Sequence, residues 1–365
     1  MDRVRFGLFT SSYPTEDIVR SGILAEKHGF DSVWVPDHLT DLYPTGDKVD
    51  PWVVLATIGA HTKKIMLSPA VTDTQRVHPA KTAQIVATLD ELTDGRAALA
   101  IGAGEVMNLV PYGILFESKE ERAERLGEAI KVAKLLWGST REKRVSFQGK
   151  YYRLVDAVLD QHPVRTPHPP VYVGALGTIR TLRLVGELGD GWLPWTNTPE
   201  TYSRRLSDIR VAAEKAGRSI DSIDCANITH VAVTNDPEMR ERVLDAMKTE
   251  ILITTHRKVL SELGYDVKGP VGFDYTYQRV VAQESVGDRA GDVAADMPDR
   301  VAEKFVVVGD VDEVIGGIEK FIRAGAGHIV LRDIIGMSIE TSLVRAEETL
   351  KTFGEKIIPH FTPAK

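Results

Sequence analysis

A single cysteine, Cys225, occurs in this chain of 365 residues. That excludes an internal disulfide and any metal centre built on clustered thiolates. Long apolar runs are also missing, and none reaches the length needed to span a bilayer. Basic residues are not in excess. The formal net charge is −7, which argues against nucleic acid as a partner but leaves room for a local basic pocket. His28, His61 and His78 have no metal-ligand spacing, so no metal site is expected. Ser11-Ser12 lacks the surroundings of a nucleophile elbow. Met1-Asp2-Arg3 leads straight into an amphipathic strand rather than a signal peptide, so a cytoplasmic location is expected. Without an export signal, the sequon at Asn227-Ile228-Thr229 is read as coincidence.

What the chain does have is a hydrophobic share of 43%, enough for a sizeable core. Strand-like apolar runs fall at residues 4–9, 32–35, 65–71, 97–101, 170–174, 191–193, 226–233 and 328–331. Helical periods lie between them, as in Ile85, Leu89 and Leu92, or Leu126, Ile130, Ala133 and Trp137. The runs are continuous rather than alternating, as strands covered on both faces require. Eight β-then-α units predict an α/β fold, a single (β/α)8 barrel over residues 1–365, with a doubly wound open sheet as the alternative. Two segments break the rhythm. Residues 144–160 read as a hairpin around Gly149-Lys150, and residues 261–299 as a polar insertion near the barrel mouth.

In a barrel, chemistry gathers where the strands end. Gly102-Ala103-Gly104-Glu105-Val106-Met107-Asn108 follows the fourth run. It has neither a Gly-Lys-Ser/Thr ending nor a glycine three residues beyond Gly104, so it is neither a phosphate loop nor a dinucleotide fingerprint. Its glycines allow a sharp turn and a close approach to a flat ligand, or simply a strand-to-loop turn. Glu105 is then an acid whose pKa a ligand ring would raise, or a solvated loop residue. Asn108 could hydrogen-bond a ring carbonyl or nitrogen. Asp37-His38 follows the second run, where His38 is the acid/base candidate and a loop cap is the plainer role. Thr72 and Asp73 follow the third. Gly174-Ala175-Leu176-Gly177-Thr178 opens a helix whose bare amides suit a phosphate; a helix cap is the plainer role for Thr178, and a wet face the plainer one for Arg180 and Arg183. Of the five tryptophans, Trp195 stands past a strand end and is placed in a pocket wall.

These segments resemble the luciferase-like flavin and deazaflavin family. The resemblance is carried by Gly29-Phe30-Asp31-Ser32-Val33-Trp34-Val35-Pro36-Asp37-His38, by residues 70–80, by residues 87–96 and by Gly102–Asn108, with Gly189-Asp190-Gly191 and residues 309–314 further on. It is closest to the branch that uses coenzyme F420, with FMN as the alternative coenzyme. The resemblance implies a (β/α)8 barrel, a homodimer and a small-molecule substrate. It puts Asp37, His38, Glu105 and Asn108 beside the coenzyme ring, with Gly104 in the same segment. It puts a non-proline cis peptide under the ring at Pro69-Ala70 or Ala70-Val71, next to Thr72. The start of the helix, from Gly174 and Ala175 to Gly177 and Thr178, would take the coenzyme phosphate. Leu42 stands where the sugar-phosphate dehydrogenases of this branch carry tryptophan, and Phe9 where the methylene-pterin reductases carry glutamate. Asp50-Pro51-Trp52 and Val110-Pro111-Tyr112-Gly113 look more like ketoreductases of lipid-derived ketones, and also suit secondary alcohol dehydrogenases. The expected reaction is hydride transfer between the deazaflavin C5 and a carbonyl or secondary alcohol. A methylene-tetrahydropterin reductase and an FMN monooxygenase are the rivals.

Overall fold

The chain is described by a computed structural model covering residues 3–10, 14–41, 47–269, 271 and 284–362. Twelve strands are β1 (Arg5–Phe9), β2 (Ser32–Val35), β3 (Met66–Pro69), β4 (Thr72–Asp73), β5 (Leu99–Gly102), β6 (Val145–Gln148), β7 (Arg153–Ala157), β8 (Val171–Val173), β9 (Gly191–Trp192), β10 (Asp224–Val233), β11 (Val306–Gly309) and β12 (His328–Asp333). Parallel pairing runs β3-β2-β1-β12-β10-β9-β8-β5-β4. A bridge between Leu67 of β3 and Ala97, just before β5, closes the ring. β3 and β4 are one strand broken at Ala70-Val71, so eight strands form the ring of a (β/α)8 barrel.

The helices between them are α1 (Thr15–Lys27), α2 (Pro51–His61), α3 (Pro79–Leu92), α4 (Lys119–Trp137), α5 (Ile179–Leu188) and α6 (Pro199–Lys215). Then come α7 (Pro237–Thr254), α8 (Arg257–Glu262), α9 (Glu284–Ala295), α10 (Asp299–Ala302), α11 (Val311–Arg323) and α12 (Leu343–Thr352). Local sequence sets their starts. Asp50 caps α2 by accepting from the amides of Trp52 and Val53, with Pro51 in the first turn, where its missing N–H costs nothing. That local role accounts for Asp50-Pro51-Trp52. Ser118 and Glu121 form a capping box on α4, as Asp310 and Glu313 do on α11.

The lower end of the barrel is plugged by packed aromatic and polar groups. Trp34, Tyr172 and Trp192 are fully buried. Asp224 takes a hydrogen bond from Tyr172, pairs with Arg5 and lies 3.0 Å from His328 Nδ1, while His328 Nε2 lies 2.8 Å from Ser32 Oγ. His328 and Arg5 hold the Asp224 carboxyl well below the usual carboxylate range against the opposing effect of burial. This end is a stability element, and it leaves the opposite rim for ligands.

Three sequence expectations change in detail. The 65–71 run does not stay extended; it stops at Pro69 and resumes at Thr72. β11 was not anticipated. It pairs only with His230–Val233 of β10, outside the ring. The polar segment 261–299 is largely helical where described, carrying the end of α8, α9 and the start of α10. The expected hairpin is β6 and β7, paired antiparallel.

Candidate active site

The strand exits enclose a cavity of about 530 Å³. Its lining includes Asp37, His38, Ala70, Val71, Thr72, Gly104, Glu105, Asn108, Gly174, Thr178 and Trp195. The break in the third barrel strand is a cis peptide at Ala70-Val71, which decides between the two positions expected from sequence. Beside it the Val71 side chain packs against two glycines. A Cβ on Gly102 would stand 2.8 Å from Val71 Cγ2, and one on Gly174 would stand 2.9 Å from it. The floor there is therefore backbone and a single valine, flat enough for a planar ligand.

One wall is built on hydrogen bonds from Asn108, which is buried. Its Oδ1 accepts from the backbone amides of Leu39 at 2.7 Å and Thr40 at 3.2 Å. Its Nδ2 lies 3.1 Å from His38 Nδ1 and 3.4 Å from Glu105 Oε2. His38 Nδ1 is 3.8 Å from Glu105 Oε2, and the two side chains are 22% and 29% exposed, so both reach the cavity. Burial raises the Glu105 carboxyl above the ordinary glutamate range, while His38 and the Asn108 bond pull the other way. The sequence Gly-x-Gly-Glu-x-x-Asn produces this because a 3₁₀ turn at Val106–Asn108 brings positions three apart onto one side.

Asp37 is anchored rather than free. Arg76 donates from Nη1 to Asp37 Oδ1 at 3.1 Å and from Nη2 to the Asp37 carbonyl at 2.9 Å. Its Nε donates to Asp73, whose Oδ1 also accepts from the Gln75 and Arg76 amides at 2.8 and 2.9 Å. Burial nevertheless raises the Asp37 carboxyl, against the pull of the Arg76 guanidinium. Arg76 stood within the resemblance segment without a role of its own, yet it joins the exits of two strands.

The lining also includes Leu176, Thr178, Thr181, Lys119 and Arg122, whose Nη1 donates to the Gly104 carbonyl at 2.8 Å. Thr178 caps α5, accepting from the Thr181 amide. Arg180 and Arg183 are exposed. Ala175 is fully buried, its carbonyl taking the Trp192 indole at 3.1 Å, and is not part of the lining. Gly177, at φ +109°, packs against Arg205: a Cβ there would stand 2.5 Å from Arg205 Nε. Leu42 lies outside the described residues.

Trp195 lines the cavity, edge-on to Phe9 at 5.0 Å between ring centres. Sequence reasoning missed its companions Glu250 and Arg332, from α7 and β12. No cluster of metal-ligating side chains and no helix long and apolar enough to cross a membrane occurs among the described residues.

The profile of the family described as luciferase-like monooxygenase matches residues 3–328. The chain is 30% identical to an F420-dependent glucose-6-phosphate dehydrogenase of Microbacterium testaceum, over 98% of this chain and 97% of that protein. It is 32% identical to a phthiodiolone/phenolphthiodiolone dimycocerosates ketoreductase of Mycobacterium tuberculosis, over 99% and 97% of the respective lengths. Among solved structures, an F420-dependent secondary alcohol dehydrogenase in complex with an F420–acetone adduct superposes with a TM-score of 0.79 at 27% identity, covering 97% of this chain and 98% of that one.

Proposed function

The chain belongs to the luciferase-like monooxygenase family, and on that premise we propose that it is an F420-dependent oxidoreductase acting on the carbonyl or secondary alcohol carbon of a small molecule. One observation carries this reading. His38, Glu105 and Asn108 converge at the rim of a cavity whose floor is Val71, Gly102 and Gly174. The relatives named for F420, among them an alcohol dehydrogenase and a sugar-phosphate dehydrogenase, support the coenzyme.

When bound, F420 supplies a hydride donor or acceptor at C5 of its deazaflavin ring. The protein's share is to bind, orient and handle the proton. Ala70, Val71, Gly102, Gly104 and Gly174 fit a planar ring, because side chains are small or absent there. Thr178 and Thr181, with Lys119 nearby, suit its phosphate. Asn108 directs its N–H at His38 Nδ1, so the neutral imidazole carries its hydrogen on Nε2. That hydrogen would be the one His38 offers to a substrate carbonyl oxygen in the cavity. Glu105, whose carboxyl burial raises above the ordinary glutamate range, would be the acid reserve beside it. Positioning the reacting carbon against these groups supplies much of the rate. The homodimer implied by the family likeness belongs to the same proposal.

The test is a titration of purified protein with F420 and, separately, with FMN. Saturable F420 binding is expected, followed by bleaching of its visible absorbance on addition of a secondary alcohol. Saturable binding of FMN alone overturns the reading. Light scattering reads the dimer.

A further inference from the structure

His38 stands on a segment that regular structure does not hold. Residues 36–40 lie outside any helix or strand. Among the described residues, His38, Leu39 and Thr40 make no backbone–backbone hydrogen bond. A side chain on such a segment keeps a fixed place only if other groups hold its backbone.

Two side chains supply that hold. A residue has two soft backbone torsions, and both are set once the peptide planes on either side are fixed. The plane before His38 is held by Arg76, whose Nη2 donates to the Asp37 carbonyl at 2.9 Å. The plane after it is held by Asn108, whose Oδ1 accepts from the Leu39 amide at 2.7 Å. Asn108 Nδ2 lies 3.1 Å from His38 Nδ1, so the same residue also restrains the ring. Arg76 follows β4 and Asn108 follows β5, so the two holds come from different strand exits.

Arg76 is itself fixed. Its Nη1 donates to Asp37 Oδ1 at 3.1 Å, and its Nη2 also lies 3.0 Å from Asp37 Oδ2. Its Nε donates to Asp73, whose Oδ1 accepts from the Arg76 amide at 2.9 Å. All three guanidinium nitrogens are engaged, which a planar fork permits and a single ammonium does not. Pairing two carboxylates needs no bond to a carbonyl. The bond to the Asp37 carbonyl acts instead on the peptide next to His38.

We propose that Arg76 is a positioning residue for His38, and that with Asn108 it forms a two-sided clamp that presents the imidazole to the cavity in one orientation. This rests on the proposed function, in which His38 handles the proton.

The experiment follows amide exchange and the ring ¹⁵N shifts of His38 in the full-length protein, first without coenzyme. In the wild type the Leu39 and Thr40 amides should be protected, although they lie in a loop. Arg76→Lys keeps a cation between Asp37 and Asp73 but cannot hold both carboxylates and the carbonyl. The two amides should then exchange about fivefold or more faster, the value of one lost hydrogen bond. The ring shifts should move toward a mixture of tautomers. The Ala70 amide, bonded to the Val35 carbonyl, is the control and should not change. With reduced F420 and butan-2-one, kcat should fall about tenfold or more while KM moves little. Asn108→Ala opens the other side of the clamp. Combined with Arg76→Lys, its kcat loss should be well below the product of the single losses, as for groups that act as a unit. Unprotected Leu39 and Thr40 amides in the wild type overturn the proposal whatever the variants do. So do unchanged exchange and ring shifts in Arg76→Lys, faster exchange that includes Ala70, or single losses that multiply. Failure of F420 to bind, or of the wild type to reduce butan-2-one, counts against the proposed function, and the readouts on the coenzyme-free protein still decide the clamp.

Discussion

Asn108 Nδ2 lies 3.1 Å from His38 Nδ1, and it cannot exchange places with Oδ1. The oxygen is fixed by two backbone amides, those of Leu39 and Thr40. The orientation of one buried amide therefore sets the tautomer of the histidine at the cavity rim. Replacing it tests that link. In Asn108→Asp the group facing Nδ1 is an acceptor, so the ring proton is drawn to Nδ1. Carbonyl reduction should slow by about 100-fold, in the range assigned to a misplaced acid/base group. Ring ¹⁵N chemical shifts of His38 read the tautomer directly. A slow variant whose His38 keeps its proton on Nε2 counts against the tautomer argument.

The Glu105 carboxyl gives a pH dependence of defined sign. Burial raises its pKa, so the folded protein keeps this proton at pH values where a free glutamate has lost it. The stability that goes with the proton is complete below the unfolded pKa and is lost as pH rises through the folded one. Activity should follow the same direction. kcat/KM for carbonyl reduction is expected to fall on the alkaline side as Glu105 ionises. Glu105→Gln should be slower and should lack that limb. Parallel pH–rate profiles of the two proteins decide it.

Asp333 offers a test confined to stability. It is 3% exposed at the end of β12, its Oδ2 accepts from Thr349 Oγ1 at 2.8 Å, and its Oδ1 has no partner among the described residues. Burial pushes it from 3.8 up to about 6, against the pull of Thr349 and the Gly336 amide. The protonated form is favoured by folding, so stability is greatest below the unfolded value and declines as pH climbs through about 6. Two pKa units correspond to about 3 kcal/mol at most. Asp333→Asn should be more stable than the wild type at pH 8 by up to that amount. The margin should vanish toward pH 4. Urea unfolding across this range measures it.

How legible these features are from sequence depends on how local their chemistry is. Glu105 and Asn108 are three residues apart on one turn, and Asp37 and His38 are adjacent, so a strand exit is enough to suggest them. The eight ring strands are apolar runs with helical periods between them, and that pattern survives without any long-range information. Glu250 and Arg332 lie 82 positions apart. Each alone looks like a surface charge, and only ring closure beside α7 brings them together. Arg76 was legible as part of a motif but not as the link between Asp37 and Asp73. β11 carried its own signal, Val306-Val307-Val308, but it follows a long polar segment and pairs with only half of β10. Thr178 caps α5 and also lines the cavity, so a helix start was enough to suggest the cap.

Arg76 lies between two carboxylates, and that arrangement predicts a large cost on removal. Its side chain is 12% exposed, and those of Asp37 and Asp73 are 15% and 6% exposed. Arg76→Ala leaves two poorly solvated carboxylates facing each other. Breaking a buried pair in this way costs about 3–5 kcal/mol, and the partial exposure here places the expectation at about 3 kcal/mol or a little less. The loss should shrink as pH falls and Asp37, whose carboxyl burial already raises, takes up a proton. Denaturant midpoints at pH 5 and pH 8 give the comparison. Equal losses at both values contradict the charge argument.

Val71 and Gly174 give a test of the cavity floor in which two substitutions must be read together. A Cβ at Gly174 would stand 2.9 Å from Val71 Cγ2, closer than real contacts come, and 3.1 Å from Cγ1, tighter than most. Gly174→Ala therefore forces Val71 toward the cavity, because the barrel strands behind it are packed. Overpacking of this kind costs about 1–3 kcal/mol, and the displaced valine should weaken F420 binding by about tenfold or more for the same reason. Val71→Ala removes both methyl groups in question. On its own it should weaken binding only modestly, because the backbone floor remains. In the double variant the alanine at 174 meets no valine, so its cost should largely disappear. The four Kd values form a cycle whose interaction energy is expected to be about 1 kcal/mol or more and favourable in sign. Strict additivity would mean that the alanine acts through the α5 loop instead, and that Val71 does not shape the floor on which the coenzyme ring is proposed to lie.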